Sequence, residues 1–201
     1  MTENMIGYLR GIVREVDTEG CVIDVNGVGY DVYCSRRTLT DLEPKLAHDA
    51  GEVVLHTRLI HREDTLDLYG FLHKEEQHLF NLLITVSGVG PKQAIKILGT
   101  SKVPDIVHAV VYEDSAFLMQ LSGIGKKKSQ QIILELKEKL RKSFEVPAIQ
   151  GASAVIEAVS ALQALGFTRD ESQEAVEKAL SSDPAEKDVG KIVEHALRNL
   201  S

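Results

Sequence analysis

Hydrophobic and polar residues alternate along the first third of the chain, with the period of two that is typical of half-buried β-strands. Two alternating segments, GCVIDV and VGYDVYC, flank Asn26-Gly27, a strong signal for a tight hairpin. Two more, EVVLHTRLI and TLDLYGF, flank the turn HRED at residues 61–64, and MIGYLRGIVREV precedes them all. These segments predict about five strands, a number that suits a small closed or partly closed barrel.

Helical spacing replaces this alternation from about residue 74 to residue 143. EEQHLFNLLITV, VPDIVHAVVYED, DSAFLMQL and KSQQIILELKEKLRKSF predict four helices. The residues that we expect to face the interior are Leu79, Leu82, Leu83 and Val86 in the first helix, and Ile132, Ile133, Leu136 and Leu140 in the last.

A third region begins after EVPAIQGAS, residues 145–153, which has no periodicity and predicts a linker. Three helices are predicted beyond it. Thr168 and Glu171 predict a capping box for the second helix, and Asp183-Pro184 predicts the start of the third. The expected inward residues are Val155, Ala158, Val159, Leu162 and Leu165 in the first helix, which should end at Gly166, and Val189, Ile192, Val193, Ala196, Leu197 and Leu200 in the third.

The middle region contains a repeat: SGVGPK and SGIGKK lie 35 residues apart, each after a leucine-rich segment and before a predicted helix. A Gly-x-Gly turn at a helix start leaves backbone N–H groups unpaired and lets a large anion approach them. With the helix dipole and the lysines that follow, each turn should bind phosphate oxygens and not base edges. The candidate DNA-binding residues are Ser87, Gly88, Val89, Gly90 and Lys92 in the first turn, and Ser122, Gly123, Ile124, Gly125, Lys126, Lys127 and Lys128 in the second.

Two copies have a simple use, since each can hold one strand of a duplex. A single Gly-x-Gly turn often does no more than join two helices, but duplication in register, with lysines after both copies, argues against that interpretation. A nucleotide-binding loop is not indicated either. The sequence lacks GxxxxGKS and GxxxxGKT, and neither turn follows a predicted strand.

The charge distribution favours an anionic partner for the middle region. Residues 78–143 contain ten Lys and Arg against five Asp and Glu, a net charge of +5. Residues 1–77 carry −7 and residues 144–201 carry −5, so that the whole chain has a net charge of −7. A polyanion would be attracted to the region of the two turns and repelled elsewhere.

Composition disfavours several other classes of protein. No apolar run approaches the roughly 20 residues of a membrane helix, and the N-terminus lacks a signal-peptide pattern. Cys21 and Cys34 have no CxxC spacing and suit reduced thiols in a cytoplasm. His56 and His61 are five residues apart in a strand, a spacing that suits no metal site.

The segments MIGYLRGIV, NGVGYDV, REDTLDLYGF, LITVSGVGPKQAIKIL and LSGIGKKKSQQIILELK together resemble the RuvA family of bacterial Holliday-junction proteins. The resemblance covers nearly the whole chain, and the two turns match its helix-hairpin-helix motifs. It implies four parts, which are an OB-fold barrel at 1–73, a tandem helix-hairpin-helix domain at 74–143, a flexible linker at 144–153 and a three-helix domain, similar to ubiquitin-associated domains, at 154–201.

The resemblance also implies a function. The chain would be a bacterial cytoplasmic protein of recombination, DNA repair and the SOS response that holds a four-way junction open and planar, with no catalysis of its own. The implied partners are further copies of the chain in a homotetramer or octamer, a hexameric RuvB ATPase that uses the ATP, and a RuvC-type resolvase. We expect no cofactor or metal on this chain, and we place the motor contact on Leu162, Leu165 and Phe167.

The same resemblance gives a role to the turn at residues 61–64. Glu63 and Asp64 match the family's acidic pin at the junction centre, where carboxylates repel phosphates and disfavour continuous duplex. Arg62 beside them would contact a central phosphate. The chain departs from the family at Gln131, where an arginine is frequent and where Lys128 would supply the charge, and at residues 43–52, which we assign to an extra loop.

Two alternatives remain open at this point. A structure-specific nuclease or repair enzyme would use the two turns only for docking, although phosphodiester cleavage usually needs several convergent carboxylates. A peptide-binding protein would use the last domain as its main site, with DNA contact secondary.

Overall fold

The computed structural model describes residues 5–46, 51–62, 65–144, 152–182, 186 and 188–200. The chain forms two compact units: residues 1–103 with 121–124, and residues 104–120 with 125–201. The predicted domain boundaries near residues 73, 143 and 153 divide the sequence differently from these units, and they stay predictions.

The first unit contains a closed five-stranded barrel, as the alternating pattern predicted. Its strands pair in the order β1-β2-β3-β5-β4, antiparallel except for the β3–β5 pair that completes the barrel. This is the arrangement expected of an OB-fold. The strands are β1 Tyr8–Val16, β2 Gly20–Val25, β3 Val28–Cys34, β4 Val53–His61 and β5 Leu66–Phe71.

The turn between β2 and β3 has the predicted geometry, because Asn26 and Gly27 have positive φ angles of 52° and 87°. The barrel interior holds the apolar residues of the alternating pattern, including Leu9, Ile23 and Leu55. Cys21 and Cys34 are buried there as free thiols, with their Sγ atoms 3.9 Å apart. The contact with Cys21 and burial raise the pKa of the Cys34 thiol.

One helix of the first unit was not predicted. Helix α1, Arg36–Leu42, begins after Ser35, whose Oγ accepts a hydrogen bond from the Thr38 N–H at 3.2 Å. A 3-10 helix follows at Glu43–Leu46, so the loop predicted for residues 43–52 is wrong for its first four residues. Residues 47–50 lie outside the described residues.

Two further helices, α2 Lys74–Leu83 and α3 Pro91–Thr100, complete the first unit. Phe80 of α2 packs against Tyr69 and Phe71 of the barrel, with ring centroids 5.1 Å and 5.0 Å apart. Gln77 Nε2 donates to the Thr57 carbonyl at 2.7 Å. Leu79, Leu83 and Val86 are buried as predicted, whereas Leu82 is only half-buried. Phe80, which was not predicted to face the interior, is buried.

The second unit contains six helices among its described residues. They are α4 Val103–Val111, α5 Ser115–Leu118, α6 Lys126–Ser143, α7 Ala152–Ala164, α8 Arg169–Ser182 and α9 Val189–Leu200. Ile132, Leu136 and Leu140 of α6 are buried as predicted, and Ile133 is half-buried. Residues 145–151 of the predicted linker lie outside the described residues.

The three C-terminal helices correct two predictions. Leu165 lies beyond the end of α7 and is 62% exposed, so it is not a core residue. Asp183 and Pro184 lie outside the described residues, but Glu186 and Asp188 are not helical and α9 begins at Val189. Asp188 Oδ1 accepts from the Lys191 N–H at 3.1 Å and caps the helix instead.

The capping box of α8 is present. The Thr168 N–H donates to Glu171 Oε2 at 2.8 Å, and the Glu171 N–H donates to Thr168 Oγ1 at 3.3 Å. Of the third helix's predicted stripe, Ile192 and Ala196 are buried, while Val189, Val193, Leu197 and Leu200 are half-buried.

Within the second unit, the C-terminal helices contact α4 and α5 through Arg169. The Arg169 guanidinium lies 3.9 Å from the centroid of the Phe117 ring and 3.5 Å from carboxylate oxygens of Asp105 and Asp114. His108 Nε2 lies 3.0 Å from Glu177 Oε1. In neither unit does a described helix have the length and apolar character that crossing a membrane requires.

Candidate nucleic-acid interface

The first Gly-x-Gly turn is a tight loop between α2 and α3. Val86 and Val89 are buried and anchor it, and the Val89 N–H donates to the Val86 carbonyl at 3.0 Å. Gly88 has a φ of +77°, which only glycine adopts without strain. Gly90 is the residue before α3, and Pro91 occupies the first helical position, where its missing N–H costs nothing.

The second turn repeats this geometry position by position at the 35-residue offset. Leu121 and Ile124 are buried, and the Ile124 N–H donates to the Leu121 carbonyl at 3.2 Å. Gly123 has a φ of +71°, and Gly125 is the residue before α6. The duplication that the sequence predicted is therefore a duplication of backbone conformation.

Both turns leave space for a ligand beside the helix start. A Cβ added to Gly88, Gly90 or Gly125 would meet no atom within 4 Å. No side chain caps either helix, because the residue before each helix is a glycine. N–H groups at helix starts bind anions, but in α3 Pro91 has no N–H and the Gln93 N–H donates to the Gly90 carbonyl at 3.0 Å, so this helix offers fewer donors than α6.

The predicted lysines lie beside the turns. Lys92, Lys126 and Lys127 are exposed, and Lys128 is half-buried. Ser87 and Ser122 are exposed at the start of each turn. The lysine side chains add full positive charges to the partial positive charge of each helix start, and this combination binds phosphate.

Gln93 is a residue that the sequence analysis missed. Its Nε2 donates to the Ser122 carbonyl, so α3 of the first turn is joined to the loop of the second. The same side chain covers Gly123, where an added Cβ would lie 2.7 Å from its amide. Position 123 therefore requires glycine for two reasons: its φ is positive, and a side chain there would collide with Gln93.

Arg62 shares a groove with the first turn. This groove has a volume of about 330 Å³ and is lined by Arg62, Gly90, Pro91, Lys92, Gln93 and Lys96. The Arg62 N–H donates to the Thr65 carbonyl at 2.9 Å, which closes the β4–β5 hairpin below its tip. Glu63 and Asp64, the predicted acidic pin, lie outside the described residues.

Lys96 is the second residue that the sequence analysis missed. At the 35-residue offset it corresponds to Gln131, so the repeat itself pointed to this position. Gln131 is neutral and donates to Glu135 along α6. Of the two corresponding residues, Lys96 therefore supplies the positive charge. Lys128, which we expected to replace the family's arginine, lies one turn before Gln131 on α6.

The three candidates for a motor contact have different environments. Leu162 is fully buried in the core of the C-terminal helices, and its part in a motor contact stays a prediction. Leu165 is exposed and Phe167 is half-buried, just after α7. Among the described residues, no group of three or more His, Cys, Asp and Glu side chains could hold a metal ion.

Family models match three successive parts of the chain. The model described as RuvA N terminal domain matches residues 5–70, and the SAM-like Helix-hairpin-helix tandem matches residues 80–138. The model described as RuvA, C-terminal domain matches residues 153–201. Their order is that of the barrel, the two turns and the last three helices.

Curated relatives extend the similarity over most of the chain. A Moorella thermoacetica protein named Holliday junction branch migration complex subunit RuvA is 43% identical over 173 residues, which cover 83% of each chain. A Clostridium perfringens protein of the same name is 38% identical over 185 residues, 87% of this chain and 90% of the relative. One from Brucella anthropi is 36% identical over 209 residues, 98% of this chain and 100% of the relative.

Proposed function

Because the chain belongs to the RuvA family, we propose that it is the junction-binding subunit of a branch migration complex. It binds four-way DNA junctions without sequence preference and holds them open and planar for a RuvB ATPase, in recombination and DNA repair. The observation that carries this function is the pair of glycine turns with one backbone conformation, joined by Gln93.

The chemistry of the turns accounts for binding that ignores sequence. Backbone N–H groups and lysines bind phosphate oxygens, which are the same at every base pair. Each turn therefore holds one strand, and the pair holds the two backbones across a minor groove. Arg62 and Lys96 extend the basic surface from the first turn towards the base of the β4–β5 hairpin, so that a phosphate near the junction centre meets several cations.

The tip of the β4–β5 hairpin separates the strands. Glu63 and Asp64 follow Arg62 in the sequence, and repulsion between their carboxylates and phosphates would keep the converging backbones apart. Continuous duplex would have to bring its backbone against these carboxylates, so the tip also lowers affinity for ordinary duplex.

Assembly completes the function. Four copies give one pair of turns for each arm of a junction, and a second tetramer would cover the opposite face to give an octamer. Leu165 and Phe167 are the candidate contact for the RuvB motor, which uses ATP, so this chain needs no cofactor of its own. A RuvC-type resolvase would act on the same open junction, in the bacterial cytoplasm.

A gel-shift competition tests this function. Labelled four-way junction is bound at moderate salt, with and without magnesium, and challenged with unlabelled linear duplex of the same sequence. We expect the junction to stay bound and uncut through a large excess of duplex. Equal competition by duplex would reduce the turns to a general phosphate-binding surface, and cleavage in magnesium would show a nuclease.

A paired set of variants tests the hairpin tip. Glu63→Gln with Asp64→Asn should raise duplex affinity and leave junction affinity nearly unchanged, which relaxes the discrimination. The matched control is Glu15→Gln with Glu52→Gln, which removes two exposed carboxylates elsewhere on the barrel. If both pairs of substitutions changed duplex affinity equally, the effect would be one of net charge and the tip would have no special role.

A further inference from the structure

A second cavity in the first unit differs in character from the groove beside Arg62. It lies between α3, the β1–β2 turn and the ends of β3 and β5, and its volume is about 280 Å³. Aromatic and charged side chains line it: Tyr33, Tyr69, Arg36, Lys92, Lys96 and Glu19. We call it the tyrosine cleft. The β1–β2 turn is one of the loops through which OB-folds bind oligonucleotides.

Tyr69, one of the residues that line this cleft, has a hydroxyl group that lacks a hydrogen-bond partner among the described residues. Its side chain is fully buried, and its ring stacks on Tyr33 with centroids 5.4 Å apart. Its hydroxyl has no hydrogen-bond partner in the described part of the chain. Buried hydroxyl groups are nearly always paired, so an unpaired one on a residue that lines a cleft indicates a missing acceptor. Burial raises the pKa of Tyr69 to about 12, which keeps the hydroxyl protonated as a donor at neutral pH.

The other lining residues fit an anion that carries an aromatic ring. Lys92 Nζ lies 5.4 Å from the centroid of the half-buried Tyr33 ring, where the ammonium interacts with the π-system. A phosphate at the cleft would attract Lys92 away from the ring and expose the ring to a planar group. Arg36 and Lys96 are exposed cations, and Glu19 is an exposed carboxylate. Three cations against one carboxylate give the cleft a positive charge that attracts a phosphate.

We propose that the tyrosine cleft binds one unpaired nucleotide, with the base packed against Tyr33, the phosphate held by Lys92 and Lys96, and the Tyr69 hydroxyl donating to the nucleotide. The inference rests on the proposed function, because Lys92 and Ser122 belong both to this cleft and to the glycine turns. DNA bound at the turns therefore passes the cleft. Exchange of strands at a junction unpairs bases one at a time, and the cleft holds such a base while it has no partner.

The test uses the full chain and two junctions that differ only in one unpaired adenine at the crossover. The wild-type protein should bind the junction with the unpaired base about tenfold more tightly, the effect of stacking one base on an aromatic side chain. Tyr33→Leu should abolish this preference and keep affinity for the fully paired junction. Thermal melting of each variant verifies that it folds.

Tyr69→Phe is the sharper variant because it removes only the unpaired hydroxyl and keeps the buried ring. It should reduce the preference about threefold, the effect of losing one hydrogen bond. The matched control is Tyr112→Phe, since Tyr112 has a second buried hydroxyl without a hydrogen-bond partner in the described residues but does not line the cleft. An equal effect of both Phe substitutions, or no effect of Tyr33→Leu and Tyr69→Phe, would overturn the proposal.

A third arm distinguishes the source of the nucleotide. Deoxyadenosine monophosphate is titrated into the protein without DNA, and binding is measured by calorimetry for wild type, Tyr33→Leu and Tyr69→Phe. Binding that depends on both tyrosines, without a preference among junctions, would assign the cleft to free nucleotides. Failure to bind even the fully paired junction would contradict the proposed function alone, because this titration still tests the cleft. No dependence on the tyrosines in either arm refutes the inference.

Discussion

The side-chain amide of Gln93 donates a hydrogen bond to the main-chain carbonyl of Ser122. The donor is in the first turn of α3, and the acceptor begins the second glycine turn, so one side chain joins the two phosphate-binding elements. The two turns must be held at a fixed separation if they are to contact both backbones of one duplex. Gln93 is therefore a positioning residue for the interface, whether or not it also contacts DNA.

Replacing Gln93 by Ala should lower junction affinity about three- to tenfold, the effect of losing one hydrogen bond that holds the site. Hydrogen exchange at residues 121–124 should rise at the same time, because their anchor is gone. Gln130→Ala, at an exposed position of α6, is the control and should change neither quantity. Lower affinity with unchanged hydrogen exchange would mean that Gln93 acts only by direct contact with DNA.

Alanine substitutions of the two glycines in the first turn should distinguish effects on protein stability from effects on DNA binding. Gly88 has a positive φ, so Gly88→Ala should lower the free energy of unfolding by about 1 kcal/mol and weaken DNA binding as well. Gly90 has a φ of −84° and open space at its Cβ position. Alanine is less favourable than glycine at the position before a helix, so Gly90→Ala should lower the melting temperature, though by less than Gly88→Ala does. It should still weaken junction binding, because the new methyl group meets the approaching phosphate.

Gly125 offers an internal repeat of this experiment, since its φ is −97° and its Cβ position is also open. Gly125→Ala should behave as Gly90→Ala does, in thermal melting and in gel shifts. If either alanine variant bound the junction as tightly as wild type, phosphate would not approach that turn closely, and the lysines alone would hold it.

The salt dependence of DNA affinity should report how many phosphates the turns contact. Lys92→Gln and Lys127→Gln should each reduce the slope of log affinity against log salt concentration by about 1. The loss of affinity should be the same for junctions of unrelated sequence, because these contacts carry no base readout. Lys74→Gln, an exposed lysine outside both turns, is the control and should leave the slope unchanged.

The fold was predictable where a local pattern has a single physical solution. Alternation and Asn26-Gly27 predicted β2, β3 and their turn, because a residue pair with positive φ angles connects two strands tightly. Helix α1 was missed because seven residues carry too little periodicity to be recognised. The start of α9 was misplaced because Pro184 is a strong helix signal, whereas the cap that forms is Asp188.

The site was predictable only where a local sequence pattern fixes the backbone conformation. Gly88 and Gly123 were identifiable because their backbone angles restrict residue choice locally. Gln93 was not, because its partner lies 29 residues away and the contact exists only after α3 and the second turn have packed. Tyr69 was not predicted to belong to a site, because only the folded barrel shows that its hydroxyl lacks a partner among the described residues.

Arg169 should be the main polar contact between the C-terminal helices and the α4–α5 segment. Its side chain is 24% exposed, stacks on Phe117 and lies between the carboxylates of Asp105 and Asp114. Arg169→Ala should lower the free energy of unfolding by about 2 kcal/mol, since it leaves two partly buried carboxylates without this cation. Arg169→Lys should give an intermediate loss, because lysine keeps the charge but not the planar stacking.

Arg198→Ala is the matched control for this comparison, because Arg198 pairs with Glu194 on the surface of α9 and should contribute less than about 0.5 kcal/mol. Urea denaturation of the four proteins gives the values. A similar loss for Arg169→Ala and Arg198→Ala would show that the Arg169 contact behaves as an ordinary surface ion pair.

Glu76 in the first turn of α2 should make the protein less stable as pH rises. Burial raises the pKa of its carboxyl group above the usual 4.5, and the nearby His73 opposes this only in part. The folded state therefore retains a proton that the unfolded chain has already lost, so the contribution of Glu76 to stability is greatest below pH 4.5 and falls as pH rises through the folded-state pKa. Glu76→Gln removes the cost of burying the charge. It should raise the melting temperature at pH 7 by about 1–3 °C and leave it unchanged at pH 4, as measured by thermal melting across that range.

The control is Glu75→Gln, at the exposed neighbouring position, which should show no such difference between the two pH values. A Glu76→Gln variant that melted lower than wild type at pH 7 would mean that favourable contacts of the ionised carboxylate outweigh the cost of its burial.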